Sequence, residues 1–305
     1  MNFKDKTILV VGGTGFIGYF LIKKLLKLKG KVFSLSISKP KKFRKLNKVN
    51  YLYANIKNFS RLNKIFKSKK IDYVINCGGY VEHKKKREVY DSHFKGNENM
   101  YKIFKNKNLK KYIQIGSSLE YGKAKVPHKE NYKCKPIGFY GQTKLKTTKF
   151  LLNKFCDYNF PVVIIRFYQV YGPNQDFNRF IPQLLRSSIK RKKFITSEGK
   201  QYRDFLFIED AIDAIILALI KKESNGQILN IGYGKGIKLK KIMKKVKIMN
   251  NYLNPDYGKI KMRKDEEFTI FPNILKSKKI LGWFPKISIN KGLELTNKYY
   301  LKKFK

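Results

Sequence analysis

Residues 7–18 read TILVVGGTGFIG, and the order of residue types in that stretch decides the fold. Thr7 to Val11 is a short β-branched run with no polar alternation, the pattern of a strand buried on both faces of a parallel sheet. It leads directly into Gly12-Gly13-Thr14-Gly15-Phe16-Ile17-Gly18. A helical period follows in YFLIKKLLKLKG, closed by Gly30, and then a second strand, KVFSLSI. Strand, glycine turn, helix and strand in that order form the setting a phosphate-binding turn requires. Gly12 permits the tight turn, Gly15 lets backbone approach a pyrophosphate, and Gly18 lets helix and strand pack closely. The amides of the first helical turn, at Phe16 and Ile17, then face the phosphates.

The same alternation continues along the chain. Strand-like runs recur at VNYLYANI, IDYVINC, KKYIQIG and FPVVIIR, separated by helical segments such as SRLNKIFKSK. This predicts an α/β fold, a doubly wound parallel sheet that binds ligands beyond the carboxyl ends of its strands. Several features fall at those ends. After the second strand the chain reads Ser36-Ile37-Ser38-Lys39-Pro40-Lys41-Lys42, with no acid to hold the adenosine ribose of NAD. Hydroxyls and cations there favour the extra phosphate of NADP, with Ser36 as a cofactor contact. After the fourth strand come Cys77 and Gly78, small enough for a cofactor to lie against the backbone. After the fifth comes Gly116-Ser117-Ser118-Leu119-Glu120-Tyr121-Gly122. A helix then opens with Tyr140 and Lys144, which stand one turn apart on one face. A nearby ammonium favours the phenolate form of tyrosine, so such a pair moves protons near neutral pH.

Composition narrows the function further. The chain has 305 residues, 42% of them hydrophobic, enough for a sizeable core. Its net charge of +48 invites a nucleic-acid role, but only nine of the 69 basic residues are arginine, the residue suited to bidentate base and phosphate reading. The lysines are spread through every segment, a pattern of coding bias, and no nucleic-acid partner is expected. Cys77, Cys134 and Cys156 form no close pair, and no metal-ligand spacing is present. The opening residues are too charged for a signal peptide, and the longest apolar run, AIDAIILALI, fits a buried helix. A cytoplasmic protein without membrane attachment is the expectation.

Taken together, the motifs resemble the extended short-chain dehydrogenase/reductases, the NAD(P)-dependent nucleotide-sugar epimerase/dehydratase family. The resemblance spans nearly the whole chain. It rests on the glycine turn, GSSLEYG, the Tyr140/Lys144 pair, RFYQVYGPNQ, GKQYRDFLFIEDAIDAI, LNIGYGKG and KKILGWFPKISINKGLELT. It implies a Rossmann-type cofactor domain over residues 1–165, with elements around 202–231 returning to its sheet. Residues 166–305 would form a smaller α/β lid that binds the nucleotide-diphosphate sugar. A strand and helix from DFLFIEDAIDAIILAL would be among the returning elements. Family members often dimerise through helices near 90–105 and 141–156, so a homodimer is implied.

The resemblance also assigns roles. Tyr140 is the acid/base toward a sugar hydroxyl or ketone, and Lys144 lowers its pKa and bonds the nicotinamide ribose. Ser117 polarises the same oxygen, with Ser118 as the alternative; a turn hydroxyl bonded to backbone describes whichever of the two is not used. Gln169, where the family has asparagine, Arg203 and Arg263 would grip the substrate diphosphate. Dehydratases of the family carry acids just after the catalytic hydroxyl, where this chain has Ser118 and Leu119. Epimerisation or reduction of a 4-keto sugar is therefore preferred to dehydration, and a nonenzymatic NADP-binding regulator is a further alternative. Glu120 reads as a solvated strand-end charge, or, if the loop is one residue shorter, stands near the position of a dehydratase acid, and His83 and His93 read as polar histidines with ordinary partners.

Overall fold

The run at residues 7–11 forms strand β1 (Thr7–Val11), and Ile8, Leu9 and Val10 are fully buried, as a strand covered on both faces must be. The structure, a computed structural model, describes residues 1–262 and 266–304. Around β1 the chain folds into a first unit of residues Met1–Gly122, Lys133–Arg166 and Ile212–Leu229. After β1 come α1 (Phe16–Lys27), β2 (Lys31–Ser36), β3 (Val49–Tyr53), α2 (Phe59–Phe66) and β4 (Tyr73–Asn76). Next are α3 (Lys86–Tyr90), a π-helical turn (Asp91–Lys95), α4 (Gly96–Phe104), β5 (Lys111–Ser117), α5 (Phe139–Tyr158) and β6 (Val162–Phe167).

These strands join a seven-stranded sheet of order β11-β6-β5-β4-β1-β2-β3, where β11 is Ile228–Ile231. The pairs β1–β2, β2–β3, β1–β4 and β4–β5 all run parallel. Chain order reverses direction between β1 and β4, so the crevice at the carboxyl ends of those two strands is the ligand position of a doubly wound sheet. One face of the sheet is sealed by Leu62, Phe66, Met100, Phe104 and Leu151, all without solvent contact.

The second unit holds residues Lys123–Tyr132, Phe167–Ala211 and Asn230–Lys305. Its strands are short: β7 (Gln169–Tyr171), β8 (Lys193–Ile195), β9 (Tyr202–Arg203), β10 (Phe205–Phe207), β12 (Ile237–Lys238), β13 (Asn254–Asp256) and β14 (Thr269–Ile270). Helices α6 (Phe180–Ile189), α8 (Leu239–Asn250), α9 (Leu275–Leu281) and α10 (Ile289–Phe304) complete it. Asp204 ties the 232–235 loop in place by accepting the amides of Tyr233 and Gly234 at 2.7 Å and of Lys235 at 3.1 Å. Burial pushes its carboxyl up to about 7, and the three amide bonds oppose that rise.

One expectation is corrected. The run Phe205-Leu206-Phe207 does not return to the main sheet but pairs with β7. The returning strand is β11, and helix α7 (Ile208–Ile220) serves the first unit from Ile212 onward. Three consecutive apolar residues satisfy either sheet, and their partner is chosen by tertiary packing. No described helix is long and apolar enough to cross a membrane.

Candidate active site

The glycine turn at the end of β1 is built against the turn after β4. Gly12 adopts φ +74°, and a Cβ there would lie 2.7 Å from Gly78 Cα, so the two backbones touch at a distance only glycine allows. A Cβ on Gly18 would lie 2.3 Å from the Gly12 carbonyl, which is the close helix–strand approach expected of the third glycine. Gly15 caps α1 with no side chain, and no acidic residue occupies the first turn. The amides around Phe16 and Ile17 thus stand, with no side-chain cap, at the positive end of a twelve-residue helix, where a phosphate would be held. Ser36 Oγ accepts the Thr14 amide at 3.3 Å, which joins the end of β2 to the same turn. Burial pushes the Cys77 thiol up to about 12, so this cysteine is a small apolar wall and not a nucleophile. The residues present therefore fit a dinucleotide.

At the end of β5, Ser117 caps a short turn of residues 118–120, its Oγ accepting the Leu119 amide at 3.2 Å. Accepting leaves the hydroxyl proton available for donation. Ser117 is half-buried while Ser118 is only 8% exposed, which favours Ser117 as the hydroxyl presented to a substrate. Tyr140 and Lys144 lie in the first turns of α5. Lys144 is buried, donates to the Ile115 carbonyl at 2.8 Å, and has its Nζ 5.8 Å from the centre of the Tyr140 ring. Burial pulls its ammonium down to about 8, with Glu120 and Cys77 acting the other way. A lysine in that range takes up or releases a proton near neutrality.

Glu120 is not a solvated charge. It is fully buried, and both oxygens are committed. Oε1 accepts the Ser117 amide at 2.8 Å. Oε2 accepts Thr148 Oγ1 at 2.8 Å and Arg166 Nε at 2.9 Å, and lies 2.7 Å from Arg166 Nη2. The sequence shows a carboxylate at a strand end; its partners are 28 and 46 residues away, which no local pattern reveals.

Both histidines also pack against Tyr140. His83 stacks on Tyr140 with ring centres 4.4 Å apart and planes 10° from parallel. His93 meets Tyr140 edge-on at 5.2 Å and 88°. Its Nε2 lies 2.9 Å from the Tyr80 carbonyl, while Nδ1 is buried with no hydrogen-bond partner among the described residues. Burial, reinforced by the Lys144 charge, holds His93 well below the ordinary histidine range.

Of the residues expected to bind substrate, Gln169 is exposed at the start of β7. Arg203 is buried, with Nη1 donating to the carbonyls of Tyr202 and Phe268 and Nη2 paired with Glu266. Arg263 lies outside the described residues. No group of three His, Cys, Asp or Glu side chains suited to a metal ion occurs among the described residues.

A fold of this topology, with a glycine cradle at the switch point and a Ser/Tyr/Lys set beside it, defines a dinucleotide-dependent protein of the short-chain dehydrogenase type. The model of the NAD dependent epimerase/dehydratase family matches residues 8–232, and the chain belongs to that family. It is 26% identical over 304 residues to the UDP-glucose 4-epimerase of Lactobacillus helveticus, with 92% of each chain covered. The dTDP-D-glucose 4,6-dehydratase of Mus musculus is 31% identical over 180 residues, covering 55% of this chain and 49% of that one. Among solved structures, UDP-glucose 4-epimerase from Thermotoga maritima, determined with UDP-glucose, superposes with a TM-score of 0.92. Its identity is 25%, and 98% of this chain and 100% of that one are covered.

Two measurements check this geometry. Glu120→Gln leaves the Arg166 guanidinium buried without its counter-charge and should cost about 3–5 kcal/mol in urea unfolding. For Lys144 the sign follows from its lowered pKa. Between pH 8 and 10.5 the unfolded chain binds more protons at this residue than the native one, so its contribution to stability rises with pH in that window. Lys144→Met should therefore gain most over wild type below pH 8, by an amount on the order of 3 kcal/mol, and the gap should narrow toward pH 10.

Proposed function

We propose that the protein is a nucleotide-sugar epimerase or 4-ketoreductase that works by hydride transfer at a sugar carbinol or ketone. The observation that carries this reading is Lys144, buried beneath the Tyr140 ring at the carboxyl end of β5, next to the Ser117 turn. The dinucleotide, when bound, supplies hydride exchange with the sugar carbon. The chain supplies everything else. Tyr140 exchanges a proton with the substrate oxygen, and the Lys144 charge favours the phenolate, the form that accepts the proton of a sugar hydroxyl. The Ser117 hydroxyl donates to the same oxygen as charge develops on it. Gln169, Arg203 and Arg263 hold the substrate diphosphate; Arg203 would exchange its Glu266 carboxylate for a phosphate.

Two likenesses to UDP-glucose 4-epimerases, each covering more than nine-tenths of the chain, support epimerisation as the form of this chemistry. Dehydration needs an acid near the catalytic hydroxyl. Glu120, the carboxylate at that turn, has both oxygens engaged by Ser117, Thr148 and Arg166, so elimination of water is the less supported reading.

For the cofactor, the end of β2 favours NADP, because Ser36 is followed by Lys39, Lys41 and Lys42 with no acid to meet a ribose 2′-hydroxyl. Calorimetry should then find tighter binding of NADP(H) than of NAD(H); equal or reversed affinities would assign those lysines to the general surface charge. The function itself is tested by supplying a panel of UDP- and dTDP-sugars with each cofactor and identifying products by mass and NMR. Tyr140→Phe should keep fold and cofactor binding and lose at least ~100-fold in turnover. Near-normal turnover in that variant would remove Tyr140 from the mechanism.

A further inference from the structure

The loop from Cys77 to Lys85 passes over Tyr140, and its attachment is specific. Near its middle, Tyr80 is held at both backbone groups by consecutive residues of the π-helical turn. The Tyr80 amide donates to Ser92 Oγ at 3.0 Å, and His93 Nε2 lies 2.9 Å from the Tyr80 carbonyl. A carbonyl only accepts, so Nε2 carries the proton and Nδ1 keeps the lone pair. That lone pair is buried and unpartnered, an unfavourable state that a phenylalanine at 93 would avoid. An imidazole at this position is accounted for by the bond it makes to the loop.

Three further features fit one device. The extra residue of the π turn between α3 and α4 places Ser92 and His93 side by side toward the loop, and such turns recur at functional sites. Gly79 makes room: a Cβ there would lie 1.9 Å from His93 Cε1. Three residues beyond Tyr80, His83 lies flat on the Tyr140 ring, while His93 abuts it edge-on.

We propose that this loop is a positioning strap for Tyr140, latched at Tyr80 by Ser92 and His93 and gripping the phenol ring through His83. The inference rests on Tyr140 being the acid/base of the proposed function. It makes His83 and His93 positioning residues that fix the ring plane, and hence the direction in which the hydroxyl points.

The test uses full-length protein with ring-13C tyrosine, the Tyr140 signal being assigned by its disappearance in Tyr140→Phe. In His83→Ala the Tyr140 ring signal should move away from its wild-type position as the stacked ring is lost, and His83→Phe should largely restore it. His93→Phe, which keeps a ring but removes the donor to Tyr80, should move the signal as His83→Ala does. With a nucleotide sugar that turns over, His83→Ala should lower kcat about 10-fold at nearly constant KM, and His83→Phe should recover most of that loss. A Tyr140 signal unmoved in a folded His83→Ala protein would overturn the strap, as would equal kcat in the two His83 variants. Turnover retained in Tyr140→Phe would instead overturn the catalytic reading, and the NMR comparison would still decide whether the strap exists.

Discussion

The candidate site depends on one buried ion pair. Glu120 and Arg166 are almost without solvent contact, and isolated charges in that position are far too costly to keep. The carboxylate therefore takes the Ser117 amide from the end of β5, the Thr148 hydroxyl from α5 and the guanidinium from β6. Three elements that carry or support the candidate side chains are locked to one another through four atoms of Glu120 and Arg166. Gly141 completes the arrangement, since a Cβ there would lie 2.4 Å from the Leu119 carbonyl and hold α5 off the Ser117 turn. Replacing a buried pair by apolar residues is often neutral for stability, so what this pair contributes is register between helix and turn.

The lysine excess has a different character. In its ion pairs the lysine is about half exposed, and pairs open on both sides, such as Lys85–Glu82 and Lys291–Glu294, contribute little. Lys144 and Lys111 stand apart, each buried and each pulled down to about 8. Lys111 is spent on structure, donating to the Lys221 carbonyl and Ser224. Lys144 faces Tyr140, so among many cations it is position that marks Lys144 as the candidate for chemistry.

The fold was legible because its signals are local. The runs at TILVV, KVFSLSI, VNYLYANI, IDYVINC, KKYIQIG and FPVVIIR each became a strand of one sheet, and each glycine of the first turn meets its constraint within a few residues or at the neighbouring strand end. The spacing of Tyr140 and Lys144 was legible for the same reason, a helical period of one turn. What escaped was set by long-range packing. The burial of Glu120 depends on Arg166, the role of His93 on a π turn that shifts helical register, and the partner of Phe205–Phe207 on which strand edge it reaches. Arg203 illustrates the limit from the other side, for its motif position is plain while its present partner, Glu266, is 63 residues away.

The central claim is that hydride and a proton are exchanged at a sugar carbon under the control of Tyr140. The most direct measurement supplies reduced nicotinamide cofactor deuterated at ring carbon 4, together with a nucleotide-linked 4-ketohexose, and locates the deuterium. The account predicts deuterium on carbon 4 of the product sugar with wild-type protein, and its near-complete loss when Tyr140 is phenylalanine. A sugar product carrying no deuterium, or one reduced equally well without the Tyr140 hydroxyl, would contradict it.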